Sequence, residues 1–193
     1  PRTPRLYCRR QRLLCLRDSH VPVYVIEGIR PRIGAGTWVA RSAEIIGEVE
    51  IGENCYIGFG AVIRGDFGKI KIGDGSLVEE GVVIHTAERT DIGNQVIIGH
   101  LAMIHDATIH DRTLIGMKAM ICEFATIGEG AIIAEQSLVR KQTTVLPGKI
   151  VAGSPAKIVG DVGPHHRERL VNGIAAYLKL IRSYHHSFKE IGA

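Results

Sequence analysis

Aromatic side chains are scarce in this chain of 193 residues, at 5% against 45% hydrophobic residues. A core must therefore be built from Ile, Val, Leu and Ala rather than from large rings. No run approaches 18 consecutive apolar residues, so we expect no membrane-spanning helix and no membrane partner. The four cysteines form no C-x-x-C pair and no zinc-ribbon spacing, which favours free thiols in a reducing compartment such as the cytoplasm.

Basic charge is concentrated at one end of the chain. Residues 1–20 hold six Arg and one Asp, which gives that segment +5, whereas the whole chain carries +4 and the remaining 173 residues sum to −1. We therefore expect no basic face that follows a nucleic acid backbone. An Arg-rich, acid-poor segment is typical of a mitochondrial transit peptide. It also fits a disordered basic arm, or sequence lying upstream of the true start.

A six-residue unit repeats along most of the chain. Each unit begins with Ile or Val, and most units carry a small or β-branched residue at the fifth place. Such a unit forms one strand and one turn, and three units close a triangular coil whose strands pair in parallel with the next coil. We predict an all-β solenoid, a left-handed parallel β-helix of about 6–7 triangular coils over residues 21–160. The twenty units begin at Ile33, Val39, Ile45, Ile51, Ile57, Ile63, Ile72, Val78, Ile84, Ile92, Ile98, Ile104, Ile109, Ile115, Ile121, Ile127, Ile133, Val139, Val145 and Val151.

Three steps of the repeat depart from six residues. The step from Ile63 is nine residues long, the step from Ile84 is eight, and the step from Ile104 is five. Insertions in a solenoid form loops at its corners, often on the binding face. The two insertions follow units of the same face, so we expect both loops on one side of the prism.

The last segment, residues 161–193, has a different pattern. Pro164 suits a first helical turn, and the apolar residues that follow it have helical spacing. We predict a C-terminal α-helix that packs along the prism or caps its open end. The apolar positions of this helix are Leu170, Ile174, Tyr177, Leu178 and Ile181.

Three histidines lie within 21 residues, and the repeat determines their positions. Arg64, His85 and His105 are each the second residue of a unit on one face. They therefore stack in one outward column on adjacent coils, about 5 Å apart per step. Glu79 and His100 belong to a column on the preceding face, around a corner.

Histidines in two columns can meet if three prisms associate about a threefold axis. The column of His85 and His105 in one chain then faces the column of His100 in the next chain. Three neutral imidazoles and an open position are the ligands of a catalytic zinc, and Fe²⁺ or Co²⁺ also accept imidazole. In such a homotrimer His85, His100 and His105 are the expected metal ligands. Two other interpretations remain open: surface histidines that bind nothing, and a lone His acting as general base.

At this point the chain resembles a known family. The prism, the Arg64-Gly-Asp66 element and the spacing of the three histidines resemble the gamma-class carbonic anhydrases over about residues 22–190. Two segments are most similar to the branch named from carnitine and phenylacetate operons. These segments are Arg64-Gly-Asp-Phe-Gly68 and Gly153-Ser-Pro-Ala-Lys157.

The resemblance implies a trimer of left-handed β-helices with a metal at each of its three interfaces. It implies that His85 and His105 come from one chain and His100 from its neighbour. It also implies that Arg64 and Asp66 form an interface pair that crosses between subunits and orders the site. By this resemblance the expected reaction is reversible hydration of carbon dioxide to bicarbonate.

Two positions depart from the family's pattern. Its usual Gln beside the metal-bound water falls at Glu79, and a usual Asn falls at Leu77. The long acidic loop of the most active members is absent, and Glu88 stands where that loop's proton-transfer carboxylate would begin. We therefore expect Glu79 to hydrogen-bond the reacting water or hydroxide, and Glu88 or a surface His to export the proton.

Other functions remain open at this stage. The same metal site could hydrolyse a CoA thioester, which the operon-branch resemblance supports. A hexapeptide acyltransferase would need only one His, to deprotonate an acceptor. A metal-stabilised trimer could also serve as a scaffold without activity, which the missing Gln and Asn favour. Each enzymatic alternative takes a small-molecule substrate, which the sequence does not identify.

Overall fold

The structure, a computed structural model, describes residues 22–189 and Ile191. The predicted basic arm, residues 1–20, therefore lies outside the described residues. The described chain is a parallel β-solenoid of about seven turns followed by a C-terminal helix, which confirms the predicted left-handed β-helix. No helix of the described residues has both the length and the hydropathy needed to cross a membrane.

Short strands alternate with turns along the solenoid. In chain order the strands are β1 (Val23–Tyr24), β2 (Arg32–Ile33), β3 (Trp38–Val39), β4 (Glu44–Ile51), β5 (Tyr56–Ile57), β6 (Val62–Ile72), β7 (Leu77–Val78), β8 (Val83–His85), β9 (Arg89–Ile92), β10 (Ile97–Ile98), β11 (Met103–His105), β12 (Thr108–Ile109), β13 (Leu114–Ile115), β14 (Met120–Ile121), β15 (Thr126–Ile127), β16 (Ile132–Ile133), β17 (Leu138–Val139), β18 (Thr144–Val145), β19 (Lys149–Ala152) and β20 (Lys157–Asp161). The helix α1 runs from Pro164 to Ser187.

The strands stack into three faces. One face has the order β17-β14-β11-β8-β6-β4-β1, and the second has β18-β15-β12-β9-β6-β4-β2. The long strands β4 and β6 turn a corner and belong to both faces, which joins these two into one sheet. The third face has the order β20-β19-β16-β13-β10-β7-β5-β3, and β19–β20 is its antiparallel pair.

The interior of the prism is filled by the first residue of each six-residue unit. Ile63, Ile84 and Ile104 are fully buried, and they stack in register on adjacent coils. Burying each such side chain contributes about 1.5–3 kcal/mol relative to exposure. The small fifth residues, such as Ala61 and Ala102, are also buried where the chain turns. This regular packing fixes the direction of every outward side chain.

Outward side chains give the three faces different chemistry. The polar face carries Glu50, Lys71, Asp91, Thr108, Thr126 and Thr144. The helix-covered face carries Trp38, Tyr56, Leu77, Ile97, Leu114 and Ile132. The uncovered face carries Val62, Val83, Met103, Met120 and Leu138. The uncovered face is therefore apolar, and no helix or strand of the described residues packs over it.

Helix α1 packs along the prism rather than over its end. Its buried residues Leu170, Ile174 and Ile181 follow the predicted spacing and join the main core cluster. Its residues Tyr177 and Tyr184 contact the rings of Tyr56 and Trp38 respectively. The few aromatic residues of the sequence are thus concentrated beneath this helix.

Candidate metal centre

His85 and His105 lie side by side at one edge of the uncovered face. The two residues are direct neighbours in the ladder between β8 and β11. His85 Nδ1 lies 3.1 Å from His105 Nε2, and the ring centroids are 5.0 Å apart. Both side chains are partly buried, with 15% and 24% of their surface exposed. The repeat count therefore placed these two histidines correctly in one outward column.

Arg64 and Asp66 support the His85 ring. Asp66 Oδ1 lies 3.3 Å from His85 Nε2, and Asp66 Oδ2 accepts a 2.5 Å hydrogen bond from Arg64 Nη1. Burial opposes ionisation of Asp66, but the Arg64 guanidinium prevails and lowers the pKa of this carboxyl. The resemblance implied that this pair crosses between subunits. Within the described chain the two residues pair with each other.

His100 lies at the opposite edge of the uncovered face. It follows β10 and precedes β11, whereas His105 ends β11. Its Nδ1 lies 2.8 Å from Glu80 Oε2, and its Nε2 lies 3.2 Å from Glu79 Oε2. The His100 backbone N–H also donates to Glu79 Oε2 at 3.2 Å. Glu79 is buried and lies beside His100, as the repeat count predicts.

Two tyrosines, one on helix α1 and one beneath it, support this pair of glutamates. Tyr56 donates a 2.7 Å hydrogen bond to Glu80 Oε1. Burial, together with the neighbouring Glu79 carboxylate, raises the pKa of Tyr177, and burial and Glu80 raise that of Tyr56. Both phenols therefore stay protonated at neutral pH and remain hydrogen-bond donors. The helix thus contributes to the position of both carboxylates.

Asp106 supports the His105 ring and was not predicted as a site residue. Its Oδ2 lies 3.4 Å from His105 Nδ1, which forms no hydrogen bond of good geometry. Its Oδ1 accepts hydrogen bonds from the loop of residues 86–89. The five-residue step from Ile104 marked this position as irregular, but a spacing does not show what a carboxylate contacts.

Glu80 and Tyr56 were also missed. Glu80 adjoins Glu79 at a corner of the repeat, and Tyr56 is an aromatic residue in a position usually taken by aliphatics. Glu88, by contrast, was predicted to carry protons. Its side chain is exposed on the loop that follows His85, and its backbone N–H is bound to Asp106.

The three histidines share one arrangement that suits a metal. Each has a ring nitrogen within 2.8–3.4 Å of a carboxylate oxygen, and in His100 both ring nitrogens do. Metal-binding histidines usually hold their second ring nitrogen this way, which fixes the tautomer and the ring orientation. The facing nitrogens of His85 and His105 also suit a shared ion, because two ligands of a tetrahedral zinc are about 3.3 Å apart.

The described residues of one chain do not complete such a site. Among the described residues no group of three or more His, Cys, Asp or Glu side chains has the spacing needed to hold a metal. The described residues therefore place two histidines at one edge of the uncovered face and the third, His100, at the other edge.

Comparison with known proteins agrees with the repeat. The model of the family described as bacterial transferase hexapeptide (six repeats) matches residues 30–65 and 106–141. The carnitine operon protein CaiE of Escherichia coli K12 is 33% identical over 171 residues, which cover 86% of each chain. The mitochondrial gamma carbonic anhydrase 2 of Arabidopsis thaliana is 34% identical over 137 residues, which are 67% of this chain. This chain spans only 49% of the length of that plant protein.

A solved structure has the same architecture. The hexapeptide transferase family protein of Anaplasma phagocytophilum superposes with a TM-score of 0.82 at 32% sequence identity. The match covers 86% of this chain and 99% of that protein. Sequence and structure therefore agree on the fold and on the repeat that forms it.

Proposed function

Because the chain belongs to the hexapeptide-repeat family, in the branch of the gamma carbonic anhydrases and CaiE proteins, we propose that it is a metal-dependent homotrimeric enzyme. Its proposed reaction is the reversible hydration of carbon dioxide to bicarbonate. The observation that carries this proposal is the position of the histidines at opposite edges of one uncovered apolar face.

The uncovered face fits a second copy of this chain. Val83 is 36% exposed and Met120 is 43% exposed, although the equivalent positions on the third face lie beneath α1. Three copies that bury this face around a threefold axis bring His100 of one copy to the edge that carries His85 and His105 of the next. The assembly thus buries the apolar face and completes the ligand set together.

Three imidazole nitrogens would then hold the ion. Zinc bound there would supply Lewis-acid chemistry and lower the pKa of a bound water to about 7, and Fe²⁺ or Co²⁺ also suit imidazole ligands. Asp66, Asp106 and Glu80 keep the three rings in place from behind. Each of these carboxylates comes from the same chain as the ring that it holds.

Glu79 is the residue best placed to accept a proton from the reacting water. Its Oε2 lies beside His100 Nε2, the ring nitrogen that Glu80 leaves available for the ion. A carboxylate in this place accepts a hydrogen bond, whereas the Gln of the related enzymes can also donate one. Glu88, exposed on the neighbouring loop, would carry the proton to solvent.

Subunit complementation tests whether the site is shared. His100→Ala and His85→Ala each remove the same kind of ligand, so neither variant alone should bind zinc or hydrate carbon dioxide. When both are unfolded and refolded together, a chain with His85 and His105 can meet a chain with His100. About a quarter of the interfaces in randomly mixed trimers should then regain zinc and activity.

The control is His110→Ala, which removes a histidine on the polar side of the repeat. This variant should form trimers with one zinc per chain, measured by light scattering and metal analysis. Recovery of no zinc in the mixed sample, with trimers present, would contradict a shared site. Wild-type trimers that retain zinc but do not hydrate carbon dioxide in stopped-flow assays would contradict the proposed reaction. The remaining interpretations would then be a metal-stabilised scaffold or another reaction.

One observation favours hydrolysis of a CoA thioester as a second candidate. Phe67 is 74% exposed, and its ring lies at 78° to the His85 ring with centroids 6.0 Å apart. An apolar ring at this place suits an acyl group better than it suits carbon dioxide. Release of free thiol from acyl-CoA substrates by the zinc-loaded enzyme, lost in Phe67→Ala, would support this reaction. Hydration of carbon dioxide unchanged in Phe67→Ala would distinguish the two.

A further inference from the structure

The Asp106 side chain occupies an unusual place in the solenoid. Asp106 follows His105 directly, is 4% exposed, and has a left-handed backbone with φ of 44°. Non-glycine residues seldom adopt this conformation, and Asp and Asn tolerate it better than most. A buried, charged residue in such a conformation needs compensating contacts to be stable.

One oxygen of this carboxylate collects four donors. Asp106 Oδ1 accepts the hydroxyl of Thr86 at 2.5 Å and the backbone N–H groups of Ala87, Glu88 and Arg89 at 2.9, 2.9 and 3.2 Å. Three successive amides that converge on one oxygen form an anion-binding concavity. Here the anion is a side chain of the next coil, so the loop of residues 86–89 is fixed to the coil of His105.

The backbone of Asp106 connects three coils. Its N–H donates to the carbonyl of His85 at 3.4 Å, and its own carbonyl accepts from the N–H of Phe124 at 2.6 Å. Its second carboxylate oxygen faces the His105 ring. Asp106 therefore contacts the peptide unit of His85 and the side chain of His105 at once.

The irregular steps of the repeat meet at this residue. The eight-residue step after Ile84 creates a loop with amides that no neighbouring strand pairs, and the five-residue step after Ile104 places Asp106 against that loop. The third irregular step packs on the other side, where Lys69 N–H donates to Glu88 O at 3.2 Å and Gly68 leaves no room for a Cβ. The longer step after Ile84 and the shorter step after Ile104 are thus accommodated together, because the Asp106 carboxylate binds the loop that the longer step creates.

From these contacts we infer that Asp106 is a positioning residue, which locks the 86–89 loop and thereby holds the His85 and His105 rings side by side, with Nδ1 of one 3.1 Å from Nε2 of the other. The functional consequence of this inference rests on the proposed function, because the two rings are the part of the proposed metal site that one chain supplies. The alignment itself is a property of the metal-free chain. It also fixes the place of Glu88, whose amide is one of the bound donors.

The test compares Asp106→Gly and Asp106→Asn in metal-free protein. Glycine keeps the left-handed backbone but removes the carboxylate, whereas Asn keeps both the backbone preference and an Oδ1 acceptor. In Asp106→Gly the amides of residues 87–89 should exchange with solvent about ten- to a hundredfold faster, and the nuclear Overhauser contacts between the His85 and His105 rings should disappear. Asp106→Asn should preserve the ring contacts.

Gln142→Gly is the matched control for the substitution by glycine. Gln142 has φ of 59° in another solenoid turn, and its side chain is exposed. Its replacement should leave both readouts at their wild-type values. Unchanged exchange, or faster exchange with the ring contacts retained, would overturn the positioning role of Asp106.

Zinc affinity supplies the functional readout. Asp106→Gly should bind zinc about 10–100-fold more weakly than wild type, and Asp106→Asn should recover most of the loss. Equal affinity in wild type and Asp106→Gly would overturn the inference. If wild-type trimers bind no zinc, the proposed function fails, and the ring contacts in metal-free protein still decide the role of Asp106.

Discussion

The helix-covered and uncovered faces of this prism both carry apolar outward residues, but α1 packs over only the first. Ile97 and Leu114 point out of one face and pack against the core beneath α1. Met120 and Val83 point out of the other and remain exposed in a single chain. The chain provides its own cover for one apolar face and, on the proposed function, a second copy covers the other. The histidines lie at the edges of the face that needs the copy.

The polar face shows that apolar outward residues are not required by the fold. Its outward column is Asp91, Thr108, Thr126 and Thr144, on the same coils and in the same parallel ladder. The inward residues of all three faces are the same buried aliphatics. The outward residues of a face therefore indicate what that face contacts.

The largest effect should come from a charge on the uncovered face. In the proposed trimer Met103→Lys would place like charges close to one another around the threefold axis, which costs several kcal/mol. We expect monomers by light scattering, together with loss of bound zinc. Thr126→Lys, on the polar face, is the matched control and should remain trimeric. A trimer of Met103→Lys that keeps its zinc would show that this face is not the interface.

Loss of packing beneath the helix should affect stability rather than assembly. Ile174→Ala removes a buried side chain of α1 and should lower the free energy of unfolding by about 2–5 kcal/mol. Val171→Ala, at an exposed position of the same helix, should change it by less than about 0.5 kcal/mol. Denaturant unfolding measures both. Equal effects of the two substitutions would contradict the packing of α1 on the prism.

Tyr177 joins the two faces, because it belongs to the helix and its hydroxyl lies near Glu79. Tyr177→Phe should cost about 1 kcal/mol of stability through the lost hydrogen bond. If Glu79 takes part in the reaction, kcat/KM should fall while zinc content stays at one ion per chain. Tyr24→Phe, at an exposed position, is the control. Unchanged kcat/KM would indicate that Glu79 takes no part in the reaction.

The smallest effect concerns the two described cysteines. Cys55 is fully buried, and burial raises the pKa of its thiol to about 11, whereas Cys122 adjoins His105 at the edge of the uncovered face. Because the thiolate is the reactive form, alkylation of Cys55 should stay slow until the pH approaches that value. Cys122 should react faster in Met103→Lys monomers than in wild-type trimers, as measured by peptide mass spectrometry. Equal rates would argue against its burial at an interface.

Periodicity made the fold and the histidine columns predictable from the sequence. The Ile and Val positions recur at a fixed spacing, so their count gives the coils, the faces and the register of His85 with His105. The insertions were expected on one side, and the contact between Lys69 and Glu88 places them together. Spacing fixes the direction of a side chain in this fold because the interior admits one register.

Contacts that depend on rotamers and loop geometry could not be predicted in this way. The sequence showed a five-residue step after Ile104 but not that Asp106 would bind the amides of another loop. It placed Glu79 beside His100, and it did not show that Glu80 and Tyr56 support the same ring. These contacts depend on how side chains of different coils fold back on one another, which the repeat does not encode.

Because the coils stack in register, the number of coils can change without moving the histidines. Each outward column continues along the axis, so beyond Ile109 one coil could be added or removed in whole units of about 18 residues without turning any histidine to another face. A single-residue insertion within β8 or β11 would instead shift the strand register and send one ring inward, whereas an insertion at a corner forms a loop, as after Ile84. Evolution can therefore lengthen the prism and its corner loops, while the paired strands that carry these two rings do not tolerate an inserted residue.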